Sequence, residues 1–114
     1  ERLKHLPLIL PASADPESRH GLHLYIILVD DTKTSVTRDQ LIFEMHKRKI
    51  GTGVHYLGLN WHPFYQQEFG YKIGDFPNSD FISARTLSIP FSAKLTDQDV
   101  NDVVEALEDI LKQN

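Results

Sequence analysis

An α+β domain is predicted, with a small, mostly antiparallel sheet and helices packed on one face. Three observations carry that prediction. The apolar runs LPLIL and LYIILV are short, the segments between strands read as helices of unequal length, and prolines bound the strand starts. The 114 residues fit one domain, residues 1–114, without an internal repeat or a low-complexity tract.

In chain order, residues 1–5 read as the tail of a helix, and the chain, lacking an initiator methionine, is expected to begin inside a longer polypeptide. LPLILP (6–11) is a short strand between prolines, which places it at an edge because proline donates nothing to a ladder. The polar stretch 12–21 is a loop. LHLYIILVD (22–30) is the strongest strand, and its unbroken apolar run predicts a central position buried on both faces.

Thr37 starts a helix, with Gln40 completing a capping box and Leu41, Ile42 and Met45 as the apolar stripe. His46, Lys47, Arg48 and Lys49 complement the negative end of its dipole, and Gly51 is the expected stop. TGVHYLGL (52–59) reads as extended. HPFYQQEFG (62–70) is a short helix opened by Pro63 and closed by Gly70. YKIGDFP is irregular, and NSDFISARTL is a helix with Phe81, Ala84 and Leu87 on its apolar side. LSIP is a strand. The last helix is the clearest: Thr96 and Asp99 make a capping box, followed by Val100, Val103, Val104, Leu107, Ile110 and Leu111 at helical spacing.

Composition narrows the function. A net charge of −4 and scattered basic residues do not form the stripe that nucleic acid requires. The apolar runs are far too short to span a bilayer, so no membrane partner is expected. There are no cysteines, which excludes thiolate zinc sites and a cysteine nucleophile and suits the cytoplasm.

Self-sufficient chemistry is hard to find. His20 and His23 straddle a loop–strand junction and His55 and His62 are seven apart, so no metal pattern forms. Ser88 and Ser92 lack a nucleophile elbow, and GTG at 51–53 lacks the spacing of a phosphate loop. The stretch GTGVHYLGLNWHPFY (51–65) concentrates two histidines, two tyrosines and the one tryptophan between glycines. Its rings suit a domain-packing surface or the wall of a ligand pocket.

The order of motifs GTGVHY, HPFY, GYKIGDFP, LSIPF and LTDQDVNDVVEAL resembles the C-terminal part of the DegT/DnrJ/StrS family of PLP-dependent sugar-nucleotide aminotransferases. The resemblance runs from about residue 20 to the end. It implies the C-terminal small domain of a fold-type I aminotransferase, part of a homodimer in the full-length enzyme. It implies transfer of an amino group from glutamate to a nucleotide-linked keto-sugar through pyridoxal phosphate. The Schiff-base lysine belongs to the absent large domain, and none of Lys4, Lys33, Lys47, Lys49, Lys72, Lys94 or Lys112 sits in its context. Residues 1–114 alone are therefore expected to bind no cofactor, to hold no catalytic residue and to be inactive. By resemblance His55 and Tyr56 face the substrate cleft, and Tyr65 matches a P-x-Y tyrosine with a packing role equally open. Asn60, where many members carry histidine, is read as a substrate contact that hydrogen-bonds but carries no proton. A non-catalytic sugar-nucleotide-binding or regulatory protein on the same domain is the alternative reading.

Overall fold

The structure is a computed structural model that describes residues 2–112. Three strands form an antiparallel sheet in the order β1 (Leu8–Ile9), β2 (Tyr25–Val29), β3 (Thr86–Ile89). The four α-helices are α1 (Arg38–Lys47), α2 (Pro63–Phe69), α3 (Pro77–Arg85) and α4 (Asp97–Lys112), with a 3-10 turn at Leu59–Trp61 before α2. The expected edge and central strands take those places.

Register decides which side chains share a face, because strand residues alternate. Leu8 pairs with Val29, Ile27 with Leu87, and Tyr25 with Ile89. These residues point into one core with Leu41 and Met45 of α1 and Val103, Val104, Leu107, Ile110 and Leu111 of α4. The opposite face carries Ile9 paired with Leu28, Ile26 with Ser88, and Leu28 with Thr86. Ile26 and Leu28 are only half-buried, so β2 is not covered equally on both faces as its apolar run suggested.

Local chemistry starts the helices as expected. Thr37 Oγ1 accepts the Gln40 N–H at 3.2 Å while Gln40 Oε1 accepts the Thr37 N–H at 2.8 Å. Thr96 and Asp99 repeat the exchange before α4. The end of α1 differs from expectation. Lys49, not Gly51, takes the left-handed conformation, with φ of 62°. Its N–H donates to His46 O at 2.9 Å and that of Ile50 to Met45 O at 3.0 Å, which satisfies the last carbonyls and turns Ile50 toward the core. Lys47 and Arg48 pair with Glu44 on the helix surface.

Other boundaries move for identifiable reasons. Residues 2–5 form turns rather than a helix, and residue 1 lies outside the described residues. The strand at 22–30 starts only at Tyr25, since Leu22 has a positive φ of 48° that no strand accommodates. The run at 6–11 pairs only at Leu8–Ile9. In α3 the buried residue is Ser83, whereas Phe81 and Ala84 are exposed and Leu87 belongs to β3. Val100, at the first turn of α4, is 40% exposed and marks the edge of the stripe.

Candidate functional site

The segment after α1 runs beside β3 and touches it at one point. Gly53 N–H donates to Ser88 O at 3.1 Å, and Ser88 N–H to Gly53 O at 2.7 Å. This bridge brings the His55 ring against the sheet, with Nδ1 2.9 Å from Ser88 Oγ. The next residue, Tyr56, meets that ring edge-on at 4.9 Å between centroids and is 73% exposed.

His55 opens on a groove of roughly 580 Å³ over the second face of the sheet, a size that suits a small organic ligand. Ile26, Leu28 and Ile82 supply its apolar wall, and His23 and Thr86 add polar groups. Thr86 is fully buried, and its Oγ1 has no hydrogen-bond partner among the described residues. Buried hydroxyls ordinarily find one. No lysine or arginine lines the groove. His20 and His23 lie on it with His55, yet among the described residues no three His, Asp or Glu side chains come close enough to hold a metal.

Asn60 is placed elsewhere. It is 2% exposed, and its amide nitrogen donates to Asp80 Oδ1 at 2.6 Å and to Lys72 O at 3.2 Å. Trp61 Nε1 donates to the same Asp80 oxygen, and Gly74 N–H to the other. The hydrogen bond from Asn60, followed by that from Trp61, holds the Asp80 carboxyl below its ordinary value. Gly58 fits tightly beside this knot, since a Cβ there would collide with Ser79 Oγ and Asn60 Oδ1. Its N–H donates to Ser83 Oγ at 2.8 Å, which explains why a serine is the buried residue of α3.

The aromatic residues of the stretch divide between two tasks. Trp61 spends its polar tip on Asp80. Tyr65 stacks on Phe69, which stacks on Tyr71, each at 5.8 Å between centroids, and Phe76 closes the series edge-on. His62 is exposed.

Of the residues singled out in the sequence, His55 lines the groove, whereas Tyr56 touches the His55 ring without lining it. Sequence reasoning did not place Ser88 or Thr86 beside His55, although the glycines of the stretch allow the close approach seen at Gly53. The only sequence signal for these was the glycine two residues before the histidine.

The DegT/DnrJ/EryC1/StrS aminotransferase family matches residues 1–108. The spore coat polysaccharide biosynthesis protein SpsC of Bacillus subtilis is 41% identical over 110 residues, which cover 96% of this chain and 28% of SpsC. The PLP form of Spr1654 from Streptococcus pneumoniae superposes with a TM-score of 0.85 at 21% identity, over 98% of this chain and 28% of that one. DesV of S. venezuelae superposes with a TM-score of 0.80 at 25% identity, over 97% of this chain and 28% of its own. The chain spans less than a third of the length of the curated relatives it matches.

Proposed function

The chain belongs to the DegT/DnrJ/EryC1/StrS aminotransferase family, and from that premise we propose that residues 1–114 are the C-terminal small domain of a PLP-dependent sugar aminotransferase. The full-length enzyme moves an amino group from glutamate to a nucleotide-linked keto-sugar, as a cytoplasmic homodimer. The name of SpsC favours a sugar destined for a polysaccharide.

One observation supports the reading most: His55 opens on an apolar groove whose lining has no amine and no guanidinium. Such a groove offers nothing to tether pyridoxal phosphate or to neutralise its phosphate, which fits a cofactor held by another part of the enzyme. When bound by the rest of the enzyme, the cofactor supplies the electron sink for amino transfer. The contribution of this chain is a wall. Ile26, Leu28 and Ile82 exclude water, while His55 and the Thr86 hydroxyl present polar groups that orient a sugar, and Tyr56 packs edge-on against the His55 ring. Asn60, expected as a substrate contact, lies outside that lining and instead fixes Asp80 and the loop that follows α2.

Incubating the polypeptide that carries these residues with glutamate and a set of nucleotide-linked keto-sugars tests this. The reading requires 2-oxoglutarate and amino-sugar to appear in equal amounts, as the amino group replaces the carbonyl oxygen of the sugar. Absence of amino transfer to every sugar in the set contradicts it.

A further inference from the structure

The hydrogen bond between His55 and Ser88 determines more than position. Ser88 is 6% exposed, and His55 Nδ1 is the one hydrogen-bond partner that its Oγ has among the described residues. A hydroxyl proton needs an acceptor, and here Nδ1 alone supplies one. If Nδ1 instead carried the proton and donated it to Oγ, the serine proton would be orphaned in a buried place, which folded proteins avoid. The serine therefore donates, Nδ1 accepts, and the proton of the neutral ring sits on Nε2.

The ring is also clamped mechanically. A Cβ at position 53 would lie 2.7 Å from His55 Cε1 and 3.3 Å from Nδ1, so the imidazole rests directly on the glycine backbone. Tyr56 closes a further side edge-on. With Gly53, Ser88 and Tyr56 around it, the ring has no partner at Nε2 among the described residues. Thr86, two residues before Ser88 on the same strand face, adds a buried hydroxyl that also lacks a partner and borders the same groove.

We infer that Ser88 is a positioning residue that fixes His55 as its Nε2–H tautomer, so that His55 offers a hydrogen-bond donor to an acceptor oxygen of the sugar substrate. This rests on the reading of the groove as a substrate wall. His55 then binds and orients the sugar and transfers no proton.

Two measurements on the full-length polypeptide test this separately. In the first, solid-state NMR of histidine-labelled protein reports the tautomer, with the His55 signal identified by its loss in His55→Gln. The wild type shows Nε2–H, Ser88→Thr keeps it because the hydroxyl remains, and Ser88→Ala yields a mixture. An Nδ1–H signal in the wild type, or one unchanged in Ser88→Ala with wild-type circular dichroism, overturns the inference. This result does not depend on whether the protein transaminates. In the second, kinetics separate the donor from the ring. Glutamine places an amide N–H near the position of Nε2, and asparagine places its own near Nδ1. His55→Gln is expected to keep KM for the sugar within about threefold, and His55→Asn to raise it about tenfold, the loss of one hydrogen bond. Equal KM values for the two variants overturn the donor role. An enzyme that transfers no amino group at all counts against the proposed function and leaves the tautomer result standing.

Discussion

Asn60 Nδ2 donates to Asp80 Oδ1 across 2.6 Å, joining the 3-10 turn before α2 to the first turn of α3. Twenty residues separate the two in sequence. Through the other carboxylate oxygen, Gly74 is fixed as well, so one aspartate organises three segments. Asn60→Ala leaves the Lys72 carbonyl short of a donor and removes one of the two 2.6 Å bonds to Asp80 Oδ1. A loss of about 2 kcal/mol is expected, read as a lower urea midpoint with unchanged slope. Asn60→Asp is expected to lose more at pH 7, because it sets a second negative charge beside Asp80.

Acid reports on the same knot. Asp80 titrates below its ordinary value of 3.8 because the folded state hydrogen-bonds its charged form, first through Asn60. A depressed folded pKa adds stability that is complete above the ordinary value and lost as pH falls through the lowered one. The gap in urea midpoint between wild type and Asp80→Asn should therefore be widest near pH 6 and shrink below about pH 3. A gap that is constant with pH contradicts the assignment.

Within α4, burial separates positions that look alike in sequence. Leu107 is 0% exposed and surrounded by core, so Leu107→Ala should cost about 2–5 kcal/mol. Val100, at the exposed edge, should cost less than about 1 kcal/mol on the same change. Chemical denaturation of the two variants checks the ratio.

Glycines 51 and 53 make a second paired comparison. A Cβ at Gly51 meets nothing within 4 Å, whereas one at Gly53 strikes the His55 ring. Gly51→Ala is expected to be nearly silent. Gly53→Ala should cost about 1–3 kcal/mol through overpacking and should raise KM for the sugar by displacing the imidazole. Equal behaviour of the two variants means that the ring does not rest where the structure puts it.

What was legible in the sequence was what depends on neighbours a few residues apart. The capping boxes at Thr37 and Thr96, the stop at Gly70 and the stripe of α4 follow from spacing within one helix. The order of the strands followed from the prolines around Leu8–Ile9 and the length of the run in β2. The rest depends on register between distant segments. That Ser88 faces His55 requires β3 to pair with Gly53, 35 residues away, and beyond the glycine itself nothing near either residue signals it. The Asn60–Asp80 bond is hidden for the same reason, since Asn60 between Leu59 and Trp61 reads as a substrate contact until its partner arrives. In α3 the apolar residues invited a core assignment, but nine residues are too few for periodicity to tell an inward face from an outward one. The role of Lys49 at the end of α1 escaped because glycine, two positions later, is the more frequent solution.

The central claim is that these residues complete a cofactor site whose reactive amine lies elsewhere in the polypeptide. Borohydride reduction of the full-length protein in pyridoxal phosphate, followed by digestion and mass spectrometry of the pyridoxyl peptide, tests it most directly. The account requires the modified lysine to fall outside residues 1–114. A pyridoxyl group on Lys4, Lys33, Lys47, Lys49, Lys72, Lys94 or Lys112 as the principal product contradicts it.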